Sequence, residues 1–221
     1  MKILAFDTTN QTLSVAVLFD GKVKSQRNIF EENKHSELLV TLIEECLNES
    51  EIWYSDLDLI SFTNGPGSFT GIRVGFSCAK ALAITTKLPV IAIDSLEAAA
   101  FDYLEKSQIK KILVVNDARL EELFIEEFNV ENKQLQSVFE PKLIKADEIE
   151  VYLPKEKFIL AGSAKKIIEA GENAVIFEQN DFINAANVAL LAQQKYSPNQ
   201  QFATSALYIR KPKISKRKGQ K

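Results

Sequence analysis

Histidine and cysteine, the residues that zinc sites and disulfides need, are scarce in this chain. Its 221 residues include one histidine, His35, and two cysteines, Cys46 and Cys78. A helical His-x-x-x-His metal pair is excluded because Leu39 stands four residues after His35. The sequence therefore predicts no metal site, and two cysteines in apolar helical segments indicate reduced thiols of a cytoplasmic protein. We interpret His35 as a residue that caps or pairs near a helix start, with Glu37 as its local partner.

Long hydrophobic runs are absent as well. No uninterrupted apolar stretch approaches the ~18 residues of a membrane span. The chain begins MKILAFDTT, and Asp7 follows only four apolar residues, which excludes a signal peptide. Hydrophobic residues make up 46% and charged residues 26% of the composition, as in ordinary globular proteins. We expect one large or two small domains with a substantial core, in the cytoplasm and without membrane contact.

The net charge of −3 conceals an uneven distribution. The last twelve residues, Arg210–Lys221, contain seven lysines and arginines and no acid, which leaves −10 on the rest of the chain. Such an acidic body is a poor surface for polyanions. Two interpretations of the basic tail stay open: a disordered, solubilising end, or an arm that contacts RNA.

Patterns of apolar residues predict an α/β half-domain in the first part of the chain. The first strand is apolar on both faces, as in the centre of a covered sheet, and Asp20-Gly21 gives a hairpin signal. The predicted elements are strands Ile3–Phe6, Leu13–Phe19 and Lys22–Phe30, helix Lys34–Asn48, strand Leu57–Thr63, helix Thr70–Thr86 and strand Val90–Ile93. This β-β-β-α-β-α-β order is typical of the ribonuclease-H-like half-domain of actin-like ATPases.

A shorter copy of this pattern begins near Lys111. Residues 2–7 align with residues 111–116 at an offset of 109, and each segment precedes a polar turn and a second strand. Similarity at half the chain length predicts a duplicated fold with a cleft between the halves, although two unrelated buried strands would give the same short match. The remaining predicted elements are strands Leu123–Phe128, Phe158–Gly162 and Ala174–Phe177 and helices near Lys165–Ala170 and around Asn184–Tyr196.

These elements predict an α/β protein with the actin-like ATPase (ASKHA, ribonuclease-H-like) fold. It would consist of two duplicated half-domains with mixed sheets, of which the second is eroded. We place the first half-domain, with its partner-binding helices, at residues 1–106 and the reduced second half-domain at residues 107–209. The basic tail follows at residues 210–221.

A glycine-rich turn enters the second helix within Thr63–Leu82. It is not a P-loop, because Gly71 is followed by Ile72 and Arg73 rather than by Lys-Ser/Thr. It is not a dinucleotide fingerprint either, because Thr70 stands where the third glycine is required. What remains is a tight turn with Thr70 as the predicted N-cap and free N–H groups at the helix start. An anion site and a close-packed turn both stay open.

Asp7 ends the first strand, where actin-like folds hold a metal–nucleotide phosphate. Two interpretations are open: a metal ligand, or a carboxylate that shapes the local turn. The matching loop of the second half has no glycine, serine or threonine, and we predict that Arg119 fills the cleft by pairing with Asp7 or Asp117. No nucleophile elbow accompanies His35, so catalysis by this chain alone is disfavoured. The vestigial nucleotide-binding set is Asp7, Thr8, Thr9, Gly65, Gly67 and Ser68.

The second helix is apolar nearly all round. Gly71, Gly75, Ala79 and Ala83 recur every four residues and form a small-residue strip. A helix that is apolar on every side must be covered on more than one of them. We predict that a protein partner docks on this strip, and packing within the chain is the alternative.

Six segments of the chain match one known family, and the glycine segment among them is specific. They are Ile3–Thr9, His35–Leu39, Asn64–Gly75, Asp94–Leu96, Asp117–Arg119 and Leu207–Arg210. These segments closely resemble the TsaB (YeaZ) family of bacterial tRNA threonylcarbamoyladenosine biosynthesis. The resemblance spans nearly the whole chain, with residues 130–200 matching only in general layout.

The resemblance implies a non-catalytic subunit of the complex that transfers a threonylcarbamoyl group to N6 of adenosine 37, in tRNAs reading codons that begin with adenine. It implies that the chain binds and activates the catalytic paralogue TsaD together with the ATPase TsaE. Those partners would bind ATP and Mg²⁺, and this chain would carry no cofactor. The resemblance also implies a homodimer in isolation and contact with tRNA through the complex.

Carried over by position, the helices from His35 and from Thr70 form the interface. The candidates are His35, Leu38, Leu39, Leu42, Cys46, Thr70, Gly71, Arg73, Val74, Gly75, Ser77, Cys78, Ala79 and Leu82. The competing function is a weak ATPase that uses Asp7 and the Gly65–Gly71 turn. A glycoprotease-like peptidase is disfavoured, because no residues support peptide hydrolysis.

Overall fold

The computed structural model describes residues 1–31, 34–104, 106–178, 182–197 and 209. The basic tail, residues 210–221, lies outside these ranges. Two mixed β-sheets form the framework of the described protein. None of its described helices has the length and apolar character needed to cross a membrane.

The first sheet has the predicted strands in the order β3-β2-β1-β4-β5. Central β1 runs antiparallel to β2 and parallel to β4, so that Leu4 lies opposite both Val17 and Ile60. Helices α1 and α2 cover one face of this sheet. The elements are β1 (Lys2–Asp7), β2 (Leu13–Phe19), β3 (Lys22–Ile29), α1 (His35–Glu49), β4 (Leu59–Thr63), α2 (Phe69–Thr86) and β5 (Val90–Ile93).

A short helix, α3 (Ser95–Phe101), leads from the first sheet to the second, and the sequence did not predict it. The second sheet has the order β11-β10-β6-β7-β8, with β9 pairing to the first part of β7. Its elements are β6 (Lys111–Asp117), β7 (Glu122–Glu131), β8 (Gln134–Ser137), β9 (Lys142–Lys145), β10 (Phe158–Ala161) and β11 (Ala174–Val175).

The two sheets have the same topology. Strand β6 is antiparallel to β7 and parallel to β10, as β1 is to β2 and β4. This equivalence confirms the predicted duplication. The second copy is reduced, because a 3₁₀ helix over Ala146–Tyr152 stands where the first copy has α1.

The helix predicted near Lys165–Ala170 is wrong. Residues 163–167 form turns instead, and two contacts tie them to their surroundings. The N–H of Ala164 donates to the carbonyl of Val115 at 3.0 Å, and the buried Lys165 donates from Nζ to the carbonyl of Phe177 at 2.8 Å. These long-range bonds hold the chain in a path that a regular helix would leave.

The last helix, α4 (Ala185–Lys195), returns to the first sheet. Its Val188 and Leu191 are buried with Ile3 and Ala5 of β1, on the face opposite α1 and α2. This helix follows the boundary predicted at residue 106, yet it completes the core of the first half. The domain division itself stays a prediction.

Candidate functional site

Asp7 lies at the carboxyl end of β1 and is completely buried. Its Oδ1 accepts hydrogen bonds from the backbone N–H of Thr9 at 3.0 Å, from Thr9 Oγ1 at 2.6 Å and from Thr63 Oγ1. Its Oδ2 has no hydrogen-bond partner within the described ranges. Burial raises the pKa of Asp7 above its usual 3.8, while the threonine hydrogen bonds and the charge of His35 lower it. This geometry favours the turn-shaping role over that of a metal ligand.

The glycine-rich turn packs against the residues that follow β1. A β-carbon on Gly67 would lie 2.5 Å from the carbonyl oxygen of Thr9, and one on Gly71 would lie 1.9 Å from that of Thr8. These two glycines therefore allow a close approach between two stretches of backbone. They serve packing here, as the second interpretation of the turn predicts.

Two amide groups at the start of α2, those of Ser68 and Gly71, bond within the chain. The N–H of Ser68 donates to the carbonyl of Thr9 at 2.8 Å, and the N–H of Gly71 donates to Ser68 Oγ at 3.2 Å. Ser68 is thus the N-cap, and the prediction of Thr70 is wrong because Thr70 already lies inside the helix. An anion at this helix start would have to displace these bonds.

His35 is the first residue of α1 and is half-buried. Its Nε2 is buried without a hydrogen-bond partner among the described residues. The predicted capping role is wrong, because Lys34 is the N-cap and no side chain caps this helix by a hydrogen bond. What the structure gives His35 is electrostatic proximity to Asp7.

The loop of the second half that matches the turn after β1 is a tight hairpin between β6 and β7. The N–H of Ala118 donates to the carbonyl of Glu122 at 2.9 Å. Arg119 and Asp117 are exposed, and the N–H of Arg119 donates to Asp117 Oδ1 at 2.7 Å. The predicted pairing of Arg119 with Asp7 is wrong, since Asp7 is buried and bonded to threonines. The filling of the cleft by Arg119 and Asp117 stays a prediction.

A groove of about 460 Å³ runs between α1 and α2 on their outer side. Val40 is 53% exposed there and Phe69 is 42% exposed. The Arg73 guanidinium lies 3.9 Å from the centre of the Phe69 ring, a cation–π contact that fixes both side chains. Burial raises the pKa of the Cys78 thiol to about 11, so this cysteine stays protonated and unreactive. The lining residues are Ser36, Leu39, Val40, Phe69, Thr70, Arg73, Val74, Ser77 and Cys78.

The structure divides the predicted interface residues into two groups. Leu39, Thr70, Arg73, Val74, Ser77 and Cys78 line the groove, and their role at an interface stays a prediction. The others face the protein's own core or the turn after β1, so the docking role predicted for the small-residue strip is wrong. Buried there are Leu42, Cys46, Gly71, Gly75 and Ala79, with His35, Leu38, Leu82 and Ala83 partly buried.

Sequence reasoning missed Ser36, Val40 and Phe69. Val40 and Phe69 lie outside the apolar stripes that face the sheet, and this was the signal that could have found them. No three histidine, cysteine or acidic side chains cluster as metal ligands in the part of the chain that the structure describes.

Comparison with known proteins identifies the family. Residues 29–216 match the family model described as TsaD, tRNA N6-adenosine threonylcarbamoyltransferase. A protein of Buchnera aphidicola subsp. Schizaphis graminum is 32% identical over 184 residues, covering 82% of this chain and 87% of that protein. It is named tRNA threonylcarbamoyladenosine biosynthesis protein TsaB. The chain belongs to the TsaB family.

Two further TsaB proteins match over shorter stretches. The Haemophilus influenzae protein is 36% identical over 56% of this chain and 52% of its own length. The Escherichia coli protein is 28% identical over 65% of the chain and 64% of its own length. The matches to these two TsaB relatives therefore span about half to two thirds of their length.

Solved structures show the same fold. YeaZ from Pseudomonas aeruginosa superposes with a TM-score of 0.82 at 21% identity, covering 94% of this TsaB-family chain and 99% of that chain. An inorganic polyphosphate/ATP-glucomannokinase from Arthrobacter superposes with a TM-score of 0.57 at 10% identity, covering 88% and 99%. The predicted actin-like fold is confirmed.

Proposed function

We propose that this chain is a non-catalytic subunit in the biosynthesis of threonylcarbamoyladenosine in tRNA, and that it binds and activates a TsaD-type transferase. The pathway is the one named for its TsaB relatives. The observation that supports the binding role is the α1–α2 groove. Val40 of α1 and Phe69 of α2 line this groove, and both side chains are exposed to solvent. Exposed apolar side chains that line a groove are typical of a protein-binding surface.

The identity of the partner is argued from the family model. Because the chain matches a model named for the transferase itself, a TsaD-type partner would carry an equivalent pair of helices. The helix pair of this chain and that of the partner can pack about a pseudo-twofold axis. Two copies of this chain can pack in the same way about a true twofold axis. The predicted homodimer would therefore use the surface that the transferase uses.

Charge supports this pairing. Helix α1 contains four glutamates and no lysine or arginine, whereas α2 contains Arg73 and Lys80 and no acid. Because Glu45 and Glu49 already pair with Arg27 of β3, the acids left for the interface are Glu37 and Glu44. When α1 of one subunit lies against α2 of the other, these would meet unlike charges.

The packing of the glycine turn supports a non-catalytic role. The backbone of Thr8 and Thr9 lies against Gly67 and Gly71, and the amides of Ser68 and Gly71 bond to the chain itself. We propose that ATP and Mg²⁺ are bound by the partner subunits. The participation of TsaE is carried by the family resemblance.

The docking role is tested by Val40→Glu in the groove, with Val151→Glu as the matched control. Val151 is 84% exposed and lies in the 3₁₀ helix of the second half, outside the groove. Calorimetry should show that Val40→Glu weakens binding to the TsaD-type paralogue at least about tenfold, because a carboxylate would enter an apolar contact. Sedimentation should show the same loss for the homodimer. Equal affinities for the two variants would exclude the groove as the interface.

A weak ATPase remains the competing function, favoured by one observation. Asp7 Oδ2 is buried and has no hydrogen-bond partner in the described part of the chain, so one carboxylate oxygen at the carboxyl edge of the sheet is unpaired. Calorimetry of the isolated chain with ATP and Mg²⁺ separates the functions. If no heat of binding is observed, the ATPase function is excluded. If ATP binds and the binding is lost in Asp7→Asn, the ATPase function is supported.

Contact of the basic tail with tRNA is a separate proposal, because residues 210–221 lie outside the described ranges. Deleting Lys211–Lys221 should lower tRNA affinity and flatten its dependence on salt, since fewer counterions are released. Unchanged affinity across salt concentrations would leave the tail with a solubilising role.

A further inference from the structure

Helix α3 is the joint between the two halves of the protein. It begins two residues after β5 of the first sheet and packs on β6, β7 and β8 of the second, as well as on α4. Leu96 and Ala100 of α3 are buried together with Phe124 and Phe128 of β7. The contact between α3 and β7 is therefore part of the packing that joins the two halves.

A buried glutamate lies at this contact. Glu126 of β7 is only 4% exposed. Its Oε1 accepts a hydrogen bond from Ser137 Oγ of β8 at 2.7 Å. Its Oε2 is buried and has no hydrogen-bond partner among the residues that the structure describes. An ionised carboxylate with one unpaired oxygen is unfavourable in such a place.

The charges that face Glu126 are acidic. Asp94, the N-cap of α3, acts on it most strongly, followed by Glu97 of α3 and Glu140 beyond β8. The basic residue at this joint is Lys195 of α4, which pairs with Glu97 at 2.5 Å. No ion pair is formed by Glu126 in the described part of the chain. Burial, and then the charge of Asp94, raise the pKa of Glu126 well above its usual 4.5.

The Asp94 side chain caps the N-terminus of α3. Its Oδ1 accepts the N–H groups of Leu96 at 2.7 Å and Glu97 at 3.1 Å. Burial raises the pKa of Asp94, against these two hydrogen bonds and the charge of Lys195. The joint thus holds two carboxyl groups, one on each half, that disfavour each other's ionisation.

We propose that this joint is a proton-dependent latch: α3 lies closely against β7 while the Glu126 carboxyl group is protonated, and the contact loosens when that group ionises. An ionised Glu126 would gain hydration by opening of the joint and would lose the repulsion of Asp94 and Glu97. Because the closed state holds the proton more tightly than the open state, closing is most favourable below pH 4.5 and weakens as the pH rises above it. The equilibrium changes by at most about tenfold per pH unit for one proton.

The test is hydrogen exchange of the full chain, followed by mass spectrometry from about pH 6 to about pH 10 and corrected for intrinsic exchange rates. Peptides from α3 and β7 should lose protection as the pH rises, by several-fold more than peptides from β1. Glu126→Gln should remove the larger part of this dependence, since glutamine keeps the oxygen that accepts from Ser137 and cannot ionise; the remainder comes from Asp94, whose pKa is raised to about 7 by burial. The matched control is Glu127→Gln on the same strand, where Glu127 pairs with Lys111 at 3.0 Å, and it should keep the dependence.

A second variant separates the latch from a simple loss of stability. Asp94→Asn keeps a good N-cap and removes the nearest negative charge, so the pKa of Glu126 in the closed joint should fall and the total loss of protection at high pH should be smaller. Protection that is independent of pH in the wild type would overturn the proposal, as would equal behaviour of the Glu126 and Glu127 variants. Protection restored at high pH by added Mg²⁺ would also overturn it, because the group would then be a cation ligand.

Discussion

Gly71 is the position at which α2 comes closest to the turn after β1. A β-carbon there would lie 1.9 Å from the carbonyl oxygen of Thr8, which belongs to the backbone and cannot rotate away. At Gly75 the nearest atom is Thr8 Oγ1, at 2.5 Å. These glycines allow the helix to pack on the sheet, and this accounts for a glycine-rich segment without any phosphate pattern.

Gly71→Ala should therefore destabilise the protein by about 3 kcal/mol, because α2 must move away from the turn. Urea unfolding measures this loss. The control is Ser77→Ala on the exposed side of the same helix, which should stay within about 0.5 kcal/mol of the wild type. Similar stabilities of the two variants would mean that α2 and the turn are not in tight contact.

Thr63 supports Asp7 through a hydroxyl that donates to Oδ1. Thr63→Val removes this donor to the charged form, so the already raised pKa of Asp7 should rise further. A carboxyl group with a raised pKa stabilises the fold fully below its unfolded value of 3.8 and loses that contribution as the pH increases. Thr63→Val should thus cost more stability at neutral than at acidic pH.

Thermal unfolding at two pH values checks the Thr63 prediction. Ser61→Ala is the matched control, because Ser61 lies on the same strand, is buried, and its Oγ has no hydrogen-bond partner within the described ranges. That variant should show no dependence on pH beyond the wild type. If both variants showed the same pH dependence, Thr63 would have no specific effect on the ionisation of Asp7.

At the scale of elements, the start of α2 shows that a local pattern can place an N-cap two positions too late. The sequence predicts Thr70 as the N-cap, whereas the structure uses Ser68. Ser68→Ala should cost about 1 kcal/mol, because the N–H of Gly71 loses its acceptor. Thr70→Ala should cost much less, as Thr70 is exposed within the first turn. Urea unfolding measures the loss of stability in both variants. A larger loss for Thr70→Ala than for Ser68→Ala would contradict the assignment of Ser68 as the N-cap.

Local apolar patterns predicted β1, β2 and β5 to within a residue or two, since buried strands differ sharply from their polar turns. Helix α3 was missed, because seven residues are too few to show a helical period. The wrong helix at Lys165–Ala170 has a tertiary cause, the burial of Lys165 against the carbonyl of Phe177. The candidate site was missed for a third reason.

A sequence pattern does not show which neighbour covers a given face of a helix. The four-residue spacing of the small residues in α2 correctly grouped Gly71, Gly75 and Ala79 on one face. Spacing cannot say whether the protein's own sheet or another subunit covers that face, and here the sheet does. The groove residues Val40 and Phe69 belong to the remaining outer face. They were therefore found only from the packed structure.

At the scale of the whole molecule, the chain crosses between its halves twice. It leaves the first sheet through α3 and comes back as α4, whose Val188 and Leu191 bury the face of β1 that carries Ile3 and Ala5. The order of elements along the chain suggests a division at residue 106, whereas the core of the first half needs residues from beyond it. The long sequence separation of this contact explains why the pattern alone did not reveal it.

A fragment of residues 1–106 should accordingly fail to fold, because one face of its sheet would be left exposed to water. Joining residues 182–197 to it through a flexible linker should restore cooperative thermal unfolding, observed by circular dichroism. The control joins the same segment with Val188→Asp and Leu191→Asp, which should leave the fragment unfolded because these side chains enter the core. Cooperative unfolding of the fragment alone would show that the first half is stable without α4, and that the return crossing contributes little to the fold.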